Sequence, residues 1–272
     1  MKIVLSRKGF DSSNGGCPSP ILPDGTLLSL PIPSKKDSIK YVDLMHDGKS
    51  LFEIIKEIDP RTRIKENWFC HLDPDIRDYG IMEDWLALFG QEGSSQKHLE
   101  NHGIGPGDIF LFFGWFRQTE SVGGKLRFVK NEQGKHILWG YFQVDAAHRS
   151  YGELPSQFSY HPHATPERFS RKSNCIYSAA EKLSPGKDSP GYGTFKYHPS
   201  LVLTKEGFSR SRWQLPEFFK DVGISYHSSS SFKEEGYFDS AKIGQEFVVA
   251  EDGKVTEWAL SRIAIRESKQ CP

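Results

Sequence analysis

The sequence predicts an α+β fold, a mixed β-sheet with peripheral helices and long loops, spread over residues 1–272 as one domain. Three observations carry that expectation. Two aromatic runs, GDIFLFFGWFR (residues 107–117) and HILWGYFQVD (residues 136–145), have the composition of paired strands. One segment, KSLFEIIKEI (residues 49–58), has its apolar residues at helical spacing. Between such segments lie clusters of Gly, Pro, Ser and Asn, which break regular structure.

Taken along the chain, residues 2–6 read as a short strand. It enters RKGFDSSNGGCPSPILPDGTLLSLPIP (residues 7–33), where Pro23-Asp24-Gly25 is a turn and LLSLPIP resumes extended structure. Ser50 and Glu53 form a capping box at the head of the next helix, and Leu51, Ile54, Ile55 and Ile58 share its apolar face. Residues 87–108 read as loop, short helix, a stop at Gly103 and a turn. Ile109 to Phe113 is apolar throughout, which suits a strand covered on both sides. Gly114 beside Trp115, and Gly140 beside Trp139, mark bulges or points where a backbone or a ligand comes close. Gly123-Gly124 and Gln133-Gly134 give hairpin-like punctuation between the two runs. Further on we expect a helix over residues 174–183, a strand in FKYHPSLVLT (residues 195–204) and a helix in LPEFFKDV (residues 215–222). Pro216 starts that helix and Gly223 stops it, and IGQEFVV (residues 243–249) is a late strand.

Lys and Arg number 35 and Asp and Glu 35, so the formal charge is zero. That removes the simplest argument for nucleic-acid binding, a general basic excess, and leaves only a local patch or a base pocket. Aromatic residues make up 13% of a chain whose mean hydropathy is −0.53, enough rings to fill a core or to stack on a flat ligand. Cys17, Cys70, Cys175 and Cys271 are scattered without a C-x-x-C pair, which argues against a zinc knuckle or a disulfide framework and fits a reducing cytoplasm. MKIVLSRKGFDSS turns polar too soon for a signal peptide, and no apolar run approaches the roughly 20 residues of a membrane span. A soluble, cytoplasmic chain with no membrane partner is expected.

The set RKGFDSSNGGCPSPI, LSLPIP, HLDPD, FGQEGSSQKHL, GDIFLFFGWFR and GQEFV resembles the third nucleotide-modification-associated domain family, from Arg7 to about Val249. The resemblance implies a part in DNA-base or nucleotide modification, alongside other proteins of a modification system. It carries no residue-by-residue mechanism. More loosely, G-D-x-x-x-F-F followed by W-G-Y-x-x-V is similar to the barrel of PUA, EVE and ASCH domains, which hold RNA or modified DNA bases. That likeness covers only residues 107–145 and implies a partly barrel-like, PUA-like sheet.

Several constellations could carry chemistry. Arg7, Lys8, Asp11, Ser12 and Asn14 follow the first strand in a Gly-rich turn that could offer a guanidinium and backbone N–H groups to a phosphate; otherwise it is a polar loop. HLD (residues 71–73) has the H-x-D spacing of iron/2-oxoglutarate oxygenases, with His161 and Arg171 as imitations of the distal His and Arg. Pro74 places that motif in a turn, and several other histidines could pair with it, so the sequence assigns no metal ligand. HLENH (residues 98–102) puts two histidines one helical turn apart, but Gly103 ends the helix at once, and a solvated helix end is the plainer reading. In SYHPHATPERF, His161 and His163 are separated by Pro162, which should hold the backbone extended and turn the rings apart, leaving one to face a pocket. Arg210, Arg212 and Trp213 could join phosphate contact to stacking, or be a packed Trp with surface arginines. Arg7, SSSS (residues 228–231) and Glu246 follow the chain order of arginine-serine-glutamate ADP-ribosyltransferases, although Gln245-Glu246 lacks the usual intervening residue.

These observations favour recognition of a modified nucleotide or base. Trp115 with Trp139 or Tyr141 would stack the base, with Trp213 and Lys8 nearby. Arg7, Arg117 and Arg212 would meet phosphate, Asp11, Asn14 and His161 would read base edges, and His163 is a further binding candidate. A transferase using Glu246 or His161 is the enzymatic alternative, and a structural or adaptor subunit is the third. No cofactor is assigned, and the sequence does not choose between reader and writer.

Overall fold

The computed structural model describes residues 1–170, 173–185, 189–241 and 244–265. Nine strands form the main sheet: β1 (Ile3–Arg7), β2 (Ser19–Ile21), β3 (Leu88–Glu92), β4 (Ile109–Val122), β5 (Lys125–Phe128), β6 (Lys135–His148), β7 (Asn174–Ala179), β8 (Tyr192–Thr194) and β9 (Glu246–Val249). Four α-helices accompany them: α1 (Leu51–Ile58), α2 (Gly93–Asn101), α3 (Pro166–Phe169) and α4 (Gly253–Ala264). The expected mixed α+β class is therefore present, with far more sheet than helix.

The sheet runs β9-β1-β4-β6-β7-β3, with β2 and β5 paired to β4 and β8 to β6. The two aromatic runs are its spine: β4 and β6 pair antiparallel from Ile109↔Gln143 to Phe116↔Lys135, with a register shift between Leu138 and Gly140. β1 lies parallel to β4, Ile3 opposite Ile109 and Arg7 opposite Phe113, so β1 delivers Arg7 and then Lys8 to the end of the sheet. β9 covers the other edge of β1, with Ser6 opposite Glu246. No strand pairing joins β9 to β3 among the described residues, so the PUA-like likeness is not borne out as a closed barrel. The sheet does curl far enough for the Gln91 side chain on β3 to donate to Glu246 on β9 at 2.7 Å.

Ile109 through Phe113 are at most 1% exposed, as a strand covered on both faces should be. Phe110 and Phe112 pack with Phe89, Phe142 and Trp139 inside the curl, while Phe113 meets Trp213, His136 and Phe247 on the other face. A second apolar cluster gathers under α1, where Leu51, Ile54, Ile55 and Ile58 pack with Phe10, Tyr41, Leu44 and Cys70. The expected capping box is present: Ser50 Oγ accepts from the Glu53 N–H, and Glu53 accepts from the Ser50 N–H.

Three expectations change. Residues 174–179 form β7, not a helix, because they pair between β6 and β3 and bury Cys175, Ile176 and Tyr177 completely. Tertiary pairing overrides the local preference there. The expected 195–204 strand is not continuous: Tyr192–Thr194 precedes it, Pro199–Leu201 is a 3₁₀ turn, and Lys196, Val202 and Thr204 make only isolated bridges, to Thr26, Ile137 and Trp213. The segment after Pro216 is a 3₁₀ turn, Glu217–Asp221, and not an α-helix. The expected late strand is β9, although Ile243 lies outside the described residues. No helix among the described residues is long and apolar enough to cross a membrane.

His136, at the start of β6, has a pH consequence. The Trp213 indole N–H donates to His136 Nδ1 at 3.0 Å, so that nitrogen must be bare. Burial pushes the ring down to about 3, with nearby Arg210 and Arg7 acting the same way. An unfolded His136 takes up a proton near 6.5, whereas the folded one stays neutral, so between 6.5 and 3 the unfolded chain holds more protons. Stability from this residue is complete above pH 6.5 and falls as pH drops, by about 2 kcal/mol at pH 5 for full coupling. We expect His136→Gln, which keeps an acceptor for the indole but takes no proton, to reduce the loss of urea midpoint between pH 7 and pH 5. An unchanged loss in the variant would rule this role out.

Candidate functional site

The chain leaves β1 through Lys8 into a tight turn. Asp11 Oδ1 accepts from the backbone N–H groups of Ser13 and Asn14, each at 2.7 Å, an Asx turn that uses donors a phosphate would otherwise take. Two cavities open on either side of this segment and share Arg7, Lys8 and Asp11 as a common wall. The first, of about 310 Å³, is lined also by Trp115, His136, Arg210 and Ser240. The second, of about 210 Å³, is lined also by Asn14, His71, Asp73, Glu92, His163 and Arg168. A larger groove of about 1000 Å³ lies elsewhere, at residues 131–135 and 197–217, and none of its charged side chains is buried.

At the inner end stands Lys8, whose side chain is 7% exposed. Its ammonium lies 3.0 Å from Glu246 Oε1 and 4.0 Å from Asp73 Oδ2, with the Phe89 ring 4.5 Å away. Asp73 accepts from the Gly90 N–H at 2.6 Å and stands 3.4 Å from His161 Nε2. Burial opposes ionisation of Asp73, but His161, Lys8 and His163 outweigh it and hold the carboxyl well below the usual range. These groups are ionisable, desolvated and mutually compensating, which is the condition in which side chains acquire unusual reactivity.

His71 ends the short strand Phe69–His71 and bonds through Nδ1 to Asp37 Oδ2 at 2.8 Å. Asp37 also takes Arg168 at 3.0 Å, and Arg168 reaches Glu92 at 2.9 Å. His163 is buried, bonds through Nδ1 to Asn174 Oδ1 at 2.8 Å, and stands with Nε2 only 3.3 Å from His71 Nε2. Burial, above all other causes, pushes the His163 ring down to about 3. Gly90 makes room for it: a Cβ at Gly90 would overlap the imidazole. Donor atoms of His71, Asp73 and His163 lie within 4.8 Å of one another, so these three residues could hold a metal ion.

The structure brings together Arg7, Lys8, Asp11, Asn14, Trp115, His163 and, just behind the walls, His161 and Glu246. The predicted divergence of His161 and His163 is corrected: a turn closed by the Ala164 N–H to His161 carbonyl bond places both rings on one side, centroids 5.8 Å apart. Tyr141 and Trp139 are core residues packed on Phe195 and Phe112, with no free face for a base. Trp213 is wholly buried. The space beside Gly114 and Gly140 is filled by protein, since a Cβ would come within 2.7 Å of the Lys8 carbonyl in one case and 2.5 Å of Ile76 in the other. Arg117 donates to the Val129 carbonyl at 2.6 Å and lies over Phe128, away from both cavities. Arg212 is exposed over Tyr237. Residues 228–231 form a polar 3₁₀ turn that bonds within itself, so the serines do not join Arg7 and Glu246. His98 bonds Ser225 and His102 bonds the His98 carbonyl, as a helix end should. Arg171 and Cys271 lie outside the described residues.

Sequence reasoning missed Asp37 and Gln91 as support residues and passed over the His71–Asp73–His163 grouping, whereas Arg210 and Arg168 were among its candidates and do line the cavities. Arg210 packs over Trp115 at 4.1 Å and donates to Ser12 Oγ at 3.1 Å. Removing one member of a buried ion network leaves its partners unpaired, at a cost of about 3–5 kcal/mol. Urea unfolding should show Lys8→Met destabilised on that scale, and the pair Lys8→Met with Glu246→Gln should recover part of the loss. A single variant as stable as wild type would contradict the charge network.

A family model for nucleotide modification associated domain 3 matches residues 2–250. No curated protein and no solved structure matches the chain at a significant level, and nothing supports the looser PUA-like likeness. The matched span takes in every cleft residue from Arg7 to Glu246, and by it the chain belongs to the nucleotide modification associated domain 3 family.

Proposed function

We propose that the paired cavities around Arg7, Lys8 and Asp11 bind a nucleotide or nucleic-acid base within a modification system. The observation that carries this reading is the division of labour across the cleft. One cavity offers the guanidiniums of Arg7 and Arg210 beside the Trp115 indole, and the other is walled by polar and ionisable groups. A phosphate suits the first set and a base edge the second. The family supports the substrate class, because its domain is associated with nucleotide modification. With zero net charge, recognition rests on these local groups, and binding should depend only shallowly on salt.

Calorimetric titration with the nucleoside monophosphates, and with short single strands carrying modified bases, tests the reading. We expect saturable binding to one of them and a loss of about tenfold or more in Trp115→Ala and Arg210→Ala, since stacking is worth about 1–3 kcal/mol per base. Arg117→Gln and Arg212→Ala, which lie away from the cleft, should bind as wild type does. No binding to any of these ligands, or equal losses in all four variants, would overturn the proposal.

The buried Lys8–Glu246–Asp73 network favours a second reading, in which the same cleft alters what it holds. Desolvated, mutually compensating charges beside a cavity are the setting in which catalytic side chains concentrate. Glu246→Gln should then keep ligand affinity and lose modification of the bound nucleotide, followed by mass spectrometry. Full modification by that variant would remove Glu246 from the chemistry.

A further inference from the structure

We propose that His71, Asp73 and His163 form a binding site for one divalent first-row transition metal ion at the inner wall of the 210 Å³ cavity. The proposal rests on how the two rings are held. His71 Nδ1 faces only a carboxylate oxygen of Asp37, an acceptor, so that nitrogen carries the hydrogen. His163 Nδ1 faces Asn174 Oδ1, whose amide nitrogen is committed to the His163 carbonyl at 3.1 Å, so that oxygen is an acceptor and His163 Nδ1 carries the hydrogen. When both rings are neutral each presents a bare Nε2, and the two nitrogens converge to 3.3 Å.

Two lone pairs that close repel unless something electropositive sits between them. Ligands bonded at about 2.0–2.2 Å to one ion stand about 3 to 4.4 Å from each other, a range that includes the 3.3 Å between these two nitrogens. Asp73 supplies the third donor from the same side, its carboxylate oriented by the Gly90 N–H. The outer contacts are those of metal-bound imidazoles. The Asp37 carboxylate behind His71 and the Asn174 amide behind His163 fix ring and tautomer. Gly90 gives His163 a seat that any side chain would fill.

Two imidazoles and one carboxylate select iron(II), manganese(II), cobalt(II), nickel(II) or zinc(II) over calcium or magnesium, whose ligands are oxygens. Three protein ligands leave further positions open toward the cavity, whose wall includes Arg7 and Arg168. The inference does not depend on the cleft taking a nucleotide.

The untagged full chain, stripped with chelator, should be titrated with cobalt(II), manganese(II) or zinc(II), without nucleotide, and its metal content measured by mass spectrometry. We expect one ion per chain, a visible cobalt(II) band and a raised melting temperature. His71→Ala and His163→Ala should lose the ion while circular dichroism shows the fold retained. Asp37→Asn should weaken affinity about 10–100-fold, as loss of an orienting carboxylate does. His98→Ala, on α2, should bind as wild type. If either histidine variant fails to fold, Asp37→Asn alone decides. Failure of the wild-type chain to take up any of the three metals, or uptake unchanged in Asp37→Asn and His71→Ala, would overturn the site.

Discussion

The Lys8 ammonium, taken out of water between Glu246 and Asp73, is the interaction on which the rest of the site depends. A charge in that position costs several kcal/mol unless its partners are brought to it. The lysine and its two partners come from three distant parts of the chain: the end of β1, the first residue of β9 and the loop after Phe69–His71. The parallel pairing of β1 with β4 sets where Lys8 emerges, and the curl of the sheet brings β3 within reach of β9, so Gln91 can donate to the same carboxylate. Asp73 is thereby held from two sides, by the lysine and by the Gly90 N–H. The position of Asp73 then decides what His161 and His163 can face.

Zero net charge and a cleft walled by arginines are compatible because the cations are placed individually. Arg7 donates to the Gly244 carbonyl at 2.5 Å, Arg168 is spanned by Asp37 and Glu92, and Arg210 rests on Trp115. Each guanidinium is oriented by a contact that uses part of its donor fork. Pre-orientation of this kind lowers the entropy lost when a ligand engages the remaining donors.

What the sequence made legible was local. The capping box at Ser50 and Glu53, the doubly covered run from Ile109 to Phe113 and the Gly123-Gly124 turn each depend on neighbours within a few residues, and each appears as expected. The strand at 174–179 was hidden because its character comes from partners at 88–92 and 144–148. Helix α4 was also passed over, though Asp252 caps it and Val255, Trp258, Ala259 and Ile263 bury one face. The aromatic residues misled for a physical reason. In a strand covered on both faces, alternation no longer marks an outside, so Trp139 and Tyr141 looked as available as Trp115 and are core instead.

The choice between His161 and His163 shows how little spacing alone decides. Both rings lie near Asp73, and H-x-D is satisfied equally well by either as a distal histidine. His161 Nδ1 accepts the His163 backbone N–H at 3.3 Å, which leaves the hydrogen on Nε2, the atom that faces Asp73. His163 Nδ1 instead donates to Asn174, which leaves its Nε2 bare. One ring is thus fitted to hold a carboxylate in place and the other to offer it company as a ligand. The difference is made by one backbone N–H in the 161–164 turn and one amide on β7. The second cannot be seen until residues 163 and 174 are brought together, and Gly90, by lacking a side chain, leaves the room that the His163 ring occupies there.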